Sequence, residues 1–586
     1  MAVVCVCSWA MDYTWNGDAS GGVTAAGGIP DMGHPNGAGD TSSFVVGAES
    51  SVIALTGASA TVEHAATMTS SEAGLARLVV EDLARPVRPG GVDGRPFWNA
   101  NAVWFMYPPA FDFPEVKGAT VYRFRVFDCN GKVHDFETKT PRASLAPVWD
   151  RLPTGKVDVW CEGYCDPDRP AHTLGRSFRS FYKMAPFRPG SYPRPTRRYG
   201  EAVRLGYSYL LDLPALKVLA ETGRPDPNYG LNCYPTKIHS SVACAMVRYA
   251  ERNPGRRGEA LRLARAAGDY LLANAQPENA PLAGFTPTYE GMNFRARENA
   301  GLCVLDYPCS AGLAFLALYR ATGDANYLRG AERIAETYLR LQDEDGTWYL
   351  KLRVADGAPV NANRLHPLTA VDFMDAMFEQ TGRHEYRRSA DRAFGYVERG
   401  PLTDWNWESQ YEDTVLTENY INLTMHPACS SVIRLVTRWP HDAQRLALAR
   451  EVLRYAEDQF VCWRVPFAET EVSLLDHGKW EHWLVEPGAV EQYYYRQIID
   501  ASLAKFVRAY LALYKATGNP LDLAKAEALG GALVRAQQPS GRIPTVLTKE
   551  ALDKPELDWV NCMIYSLETL EELSKTVGEQ DNTEGS

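Results

Sequence analysis

Acidic and aromatic residues crowd the segment 400–421, where Trp405 and Trp407 are followed by Glu408, Glu412, Asp413 and Glu418. Glycoside hydrolysis needs one protonated carboxyl at the leaving oxygen and one carboxylate that activates water or attacks carbon, so this density marks Glu408, Glu412 and Asp413 as candidate catalytic groups. The two indole rings supply faces for a sugar. The plainer alternative is a solvated acidic loop held by two aromatic anchors.

A second crowded segment, 460–497, carries Asp476, His477, Trp480, Glu481, His482, Trp483, Glu486, Glu491, the run Tyr493, Tyr494 and Tyr495, and Arg496. His482, Trp483 and Tyr494 are candidate substrate contacts, and the Arg496 guanidinium can fork onto a substrate carboxylate. In HPLTAVDFMDAM, Asp372 and Asp375 stand one turn apart among apolar neighbours, with His366 just before them. A carboxyl on such a helix must find a partner or shift its pKa, so Asp372 is a candidate acid or base; a salt bridge is the bland reading. A further cluster joins Tyr234, Lys237 and His239 to Tyr289, Glu290, Arg295 and Arg297. These are residue types a lyase uses to take a proton beside a uronate carboxylate, and equally types a hydrolase uses to hold an acidic sugar. His426 is a weaker addition, since one His early in a helix is more often a core residue.

Signatures of other chemistries are missing from the sequence: there is no Gly-rich phosphate loop, HExxH, GxSxG or Asp-rich calcium loop. QDEDGTWYL at 342–350 resembles a metal loop, but its counterpart QQPSGRIPT at 537–545 keeps the Gly and loses the acids. The twelve cysteines are scattered without zinc spacing. Neither a metal nor a redox cofactor is expected.

The elements that must position these groups announce themselves by repetition. ALYRATGDANYL at 317–328, AMFEQTGRHEYR at 376–387 and ALYKATGNPLDL at 512–523 each read as a helix end, a Thr-Gly stop and a new helix start. Periodicity predicts twelve helices, near 201–222, 237–252, 258–275, 309–322, 326–342, 366–381, 385–399, 422–438, 442–459, 498–517, 521–538 and 559–576. Ten pair through short turns. If the first and last pair as well, the array closes into a ring of six hairpins and leaves no apolar end exposed. Short turns then occupy one rim and long connections the other, where function is expected.

Upstream, residues 78–187 alternate with period two, as in Thr120 to Phe127, and predict a small antiparallel β-sandwich of fibronectin III type. Residues 1–77 form a Gly/Ala/Ser-rich lead, 188–198 a Pro-rich linker, 199–578 the helical domain and 579–586 a polar tail. The chain has 61 Lys and Arg against 72 Asp and Glu, a net charge of −11, and shows no basic stripe, so nucleic acid is not an expected partner. No apolar run is long enough to span a membrane, and MAVVCVCSWAMDY lacks the basic start of a secretory signal. Periplasm and cytoplasm both stay open, as does the oligomeric state.

This layout resembles the six-hairpin glycosidase-like superfamily, the (α/α)6 toroids of carbohydrate-active enzymes, on the Thr-Gly hairpin repeat, the Asp-Gly-x-Trp loop at 345–348 and the aromatic long rim. The resemblance covers about 78–576 and is nearest in kind to bacterial β-glucuronidases and uronate lyases. It implies a glycoside hydrolase acting on an oligosaccharide or polysaccharide that contains uronic acid or a similarly polar sugar. Asp372, Glu408, Glu412 and Asp413 are then the catalytic carboxylates to test. His239, Tyr289, Arg295, Trp405, Trp407, His426, His482, Trp483, Tyr494 and Arg496 are the expected substrate contacts. A polysaccharide lyase is the first alternative, a non-catalytic glycan-binding toroid the second, and an isomerase of free sugars a further one.

Overall fold

The computed structural model describes residues 72–87, 102–165, 173–291, 293–405, 407, 425–464, 483–491 and 497–579. Six inner helices form its centre: α4 (Pro235–Arg252), α6 (Tyr307–Thr322), α8 (Leu368–Thr381), α10 (His426–Arg438), α12 (Asp500–Thr517) and α14 (Val560–Thr576). Each packs against the next, and α14 packs back against α4, so the ring is closed. Outside them lie α5 (Arg257–Ala273), α7 (Ala325–Leu341), α9 (His384–Arg399), α11 (Ala443–Phe460), α13 (Pro520–Ala536) and α2 (Tyr199–Asp212). The last hairpin joins α2 to α14, the first long helix to the last. The chain is thus an (α/α)6 toroid, and closure buries the two helix faces that an open array would expose.

The Thr-Gly turns have a local cause. The hydroxyls of Thr322, Thr381 and Thr517 donate to the carbonyls of Leu318, Met377 and Leu513 at 2.7, 2.7 and 2.8 Å, and accept from the amides of Asp324, Arg383 and Asn519. The following glycines adopt φ of +73, +71 and +68°, the left-handed conformation that stops a helix without a Cβ clash. Asp324 and Asn519 then cap the next helix by accepting from the amides two residues on. Thr222 and Gly223 build a further copy of this stop at the end of α3 (Pro214–Thr222). The helix expected over 201–222 is in fact α2 and α3, because Pro214 has no amide to donate and disfavours a helical Leu213.

The 342–350 loop is structural. Arg364 bridges Asp343 and Asp345 at 3.0 and 2.6 Å, and the buried Trp348 indole donates to the Tyr338 carbonyl. Gln342 and its counterpart Gln537 each donate to the glycine carbonyl four residues on, at 2.7 and 2.9 Å.

Ahead of the toroid, β1 (Trp104–Phe105), β3 (Val121–Phe127), β4 (Val133–Thr138), β6 (Gly155–Tyr164) and β7 (Gly175–Lys183) form one sheet in the order β1-β7-β6-β3-β4. A separate ladder joins β2 (Ala110–Asp112) to β5 (Arg142–Ser144). The two-residue β1 runs parallel to β7, a departure from the all-antiparallel expectation. Helix α1 (Glu72–Leu83) runs across residue 77, and Glu579 accepts from the first amides of α2.

The sheet region is bonded to the ring through a buried ionic cluster. Lys525 on α13 lies 2.8 Å from Glu457 on α11 and 3.4 Å from Asp82 on α1, while the Tyr107 hydroxyl, just after β1, hydrogen-bonds to both carboxylates. Asp458 accepts from the amides of Met106 and Tyr107 at 2.6 and 2.7 Å. Ions this deep are tolerated only when paired and hydrogen-bonded, so the cluster fixes one docking geometry.

Candidate functional site

The long connections bring chain from an outer helix to the start of an inner one, so the inner helices present their N-termini, with free amides and partial positive charge, to one rim. Toward the opposite end, Arg248, Glu568, Arg508, Glu572 and Lys515 cross-link α4, α14 and α12 through ion pairs. The centre of the ring at the long-connection rim is therefore the candidate site.

Asp372 occupies the second turn of α8. Its side chain is exposed to solvent although protein mass surrounds it on nearly every side, and a residue on the wall of a hollow has both properties. Burial raises its carboxyl pKa to about 6; Asp375 and Asp306 add to the rise, while Arg434 and Arg508 oppose it. Those neighbours come from α8 itself, from the residue before α6, from α10 and from α12, so Asp372 faces groups around much of the ring. Asp375 has a different role: it is buried in ion pairs with Arg387, at 2.9 Å, and with Arg434.

Asp306 and Arg508 are the residues that sequence reading passed over. Asp306 lies in the unremarkable run VLDYPCS, and Arg508 is one of many polar positions on a long helix. A usable signal was periodicity: on α12, Lys505 and Arg508 are spaced i and i+3 among buried neighbours, the pattern of a wet stripe on an inner helix. His426 begins α10, half-buried, and burial, then Lys505 and Arg508, push its imidazole down to about 3, so it is neutral at physiological pH.

At the same rim, Tyr234 stacks on Trp559 at 5.5 Å and meets Tyr289 edge-on at 5.9 Å. The Lys237 ammonium lies 4.4 Å from the Trp559 ring, and Lys351 stands 5.7 Å from the Tyr289 ring. Tyr289 is half-buried, so part of it remains open to a ligand.

Other expected contacts are placed differently. His239 is 1% exposed and packs edge-on against Tyr270, with its pKa lowered to about 3 by burial. This corrects its reading as a substrate contact, because an inner-helix side chain wedged against the outer layer cannot reach the hollow. Trp407 is fully buried beside His366, and offers no open ring face. Trp405, at φ +61°, packs edge-on to Tyr455 of α11. Trp483 is half-buried and bridges to Thr548. Glu408, Glu412, Asp413, His482, Tyr494 and Arg496 lie outside the described residues, as does the side chain of Arg295.

Among the described residues no three His, Cys, Asp or Glu side chains group as a metal site, and no helix is long and apolar enough to cross a membrane.

No protein-family model and no curated protein matches the chain. Solved structures give matches of low identity. A family 76 glycoside hydrolase from a bovine Bacteroides thetaiotaomicron strain is 11% identical over 77% of this chain and 93% of its own, with a TM-score of 0.42. A cellobiose 2-epimerase from Spirochaeta thermophila is 13% identical over 65% of this chain and 100% of its own, at 0.43. An unsaturated glucuronyl hydrolase from Streptococcus agalactiae is 12% identical over 66% and 94%, at 0.40.

Proposed function

We propose that the chain is a glycoside hydrolase that cleaves a uronic-acid-containing or similarly acidic glycan in the hollow of the toroid. The observation that carries this reading is Asp372: an exposed carboxyl on the wall of a hollow, with a pKa raised to about 6 by its surroundings. A group so poised is protonated often enough near pH 6 to give its proton to a leaving glycosidic oxygen. Asp306, whose charge helps to raise that pKa, is the partner carboxylate to activate water, with Glu408, Glu412 and Asp413 as the competing candidates. Lys505 provides positive charge for the acidic group of the sugar, and the half-open ring of Tyr289 provides a stacking face.

One observation favours β-elimination as the second reading. His426 is an imidazole beside Lys505 and Arg508, and cations next to a proton acceptor are the elements of β-elimination, although an imidazole pushed down to about 3 is a weak base. The test is a panel of acidic oligosaccharides assayed on the same samples for new reducing ends and for the ultraviolet absorbance of an unsaturated uronate. Reducing ends without absorbance support hydrolysis, absorbance supports elimination, and neither, with binding retained by Asp372→Asn, leaves a non-catalytic glycan-binding toroid.

A further inference from the structure

The sheet ahead of the toroid has one face turned into the protein and one turned out, and the outer face has an unusual composition. Four large apolar side chains stand exposed among the described residues, and three of them, Val133 at 38%, Leu174 at 47% and Phe178 at 49%, are on or beside this face. Strand register aligns them. Phe178, Trp160, Arg125 and Asp135 form one row across four strands, with Arg176, Glu162, Arg123 and Glu137 in the next. Trp160 and Phe178 have ring centroids 4.7 Å apart, and the Arg176 guanidinium lies 4.7 Å over the indole.

We propose that this face is a glycan-binding platform, separate from the hollow, that takes a neutral stretch of polysaccharide. The exposed Phe178 ring, braced by Trp160, accepts the C–H face of a sugar, and the flanking Arg, Asp and Glu groups bond to its hydroxyls. Charge selects the ligand. Arg123 pairs with Glu137 at 2.7 Å, Arg125 with Asp135 at 3.9 Å and Lys156 with Asp158 at 3.8 Å, while Arg176 faces Glu162 across the strands. Four cations against four anions leave no excess charge, so neither a nucleic acid nor a strongly acidic polymer is attracted. Size argues against a second protein. The four rows from Lys156 to Glu162 across four strands span about 14 by 20 Å at ordinary sheet spacing, still well below the ~800 Å² per partner of a stable interface, and a charge stands beside every ring, whereas interface cores are depleted of charge. The patch matches a few sugar rings in line.

The platform does not require the hollow to hydrolyse anything, and its test is independent of that reading. Full-length Asp372→Asn protein, with and without Trp160→Ala plus Phe178→Ala, is run in native gels containing xylan, galactomannan, mixed-linkage β-glucan or polygalacturonate. The expected result is retardation by at least one neutral polymer, with affinity about tenfold weaker in the platform variant, a loss of about 1.4 kcal/mol. A Phe178→Ser variant gives the same comparison with the indole intact, and melting curves confirm folding. No retardation by any neutral polymer, equal retardation of all variants, retardation by polygalacturonate alone, or a dimer in sedimentation velocity that the platform variant converts to monomer would each overturn the proposal.

Discussion

Asp372 and Asp375 stand one turn apart on α8 with opposite environments. Asp375 is locked in ion pairs with Arg387 of α9 and Arg434 of α10, whereas Asp372 is exposed and has its pKa raised to about 6. A shift of three residues on one helix thus separates a carboxyl that holds three helices together from one that is free to exchange protons.

Asp372→Asn is expected to lower kcat by roughly 10²- to 10⁴-fold, the usual value of a positioned acid, with the circular dichroism spectrum unchanged. Wild-type activity should fall as pH rises above about 6, as the acid form disappears. The sign for stability follows: a raised folded-state pKa contributes stability at low pH that is lost as pH rises through 6, so the Asn variant should equal or exceed wild type in stability at pH 8. Denaturation midpoints at pH 5 and 8 check this.

Asp375→Asn should leave Arg387 and Arg434 without their shared carboxylate. Loss of one partner from a buried pair costs roughly 3–5 kcal/mol, so the urea midpoint should drop sharply. An unchanged midpoint would remove Asp375 from its structural role.

Asp82 gives the opposite pH dependence. Burial alone would raise its carboxyl, but Lys525, Arg454 and the Tyr107 hydroxyl outweigh this and hold it at about 2. Its contribution is present above about pH 4 and is lost as pH falls toward 2, worth about 2 kcal/mol for a shift of this size. Acid titration of the unfolding midpoint should therefore be steeper for wild type than for Asp82→Asn in that window.

Gly312 of α6 faces the Phe373 ring of α8 so closely that an added Cβ would stand 2.3 Å from it. Gly312→Ala is expected to cost about 1–3 kcal/mol by forcing the two inner helices apart. Gly382→Ala meets nothing within 4 Å, but must hold φ at +71°, and should cost about 1 kcal/mol from backbone strain alone. Thermal melts of the two variants separate crowding from strain.

The hairpins were legible because their cause is local. A Thr hydroxyl reaching back four residues, a glycine in the left-handed conformation and a capping Asp or Asn all lie within one short string, so the string repeats wherever the structure does. Closure was legible too, since twelve helices with ten already paired leave only one way to cover the ends. The site was less so. Asp372 stood out as an acid among apolar residues, but His239 was chosen for its residue type and proved to face the outer layer; Asp306 carried no local mark, and Lys505 and Arg508 were marked only by their spacing on one helix. What gathers 306, 372 and 508 is the curvature of a ring built from elements far apart in the chain, and that curvature decides which polar position on each inner helix meets the hollow and which meets an arginine. Sequence alone determined the repeating unit, through bonds that span four residues; the tertiary structure decided which charges lie within reach of one another, because their proximity exists only once the helices have packed into a ring.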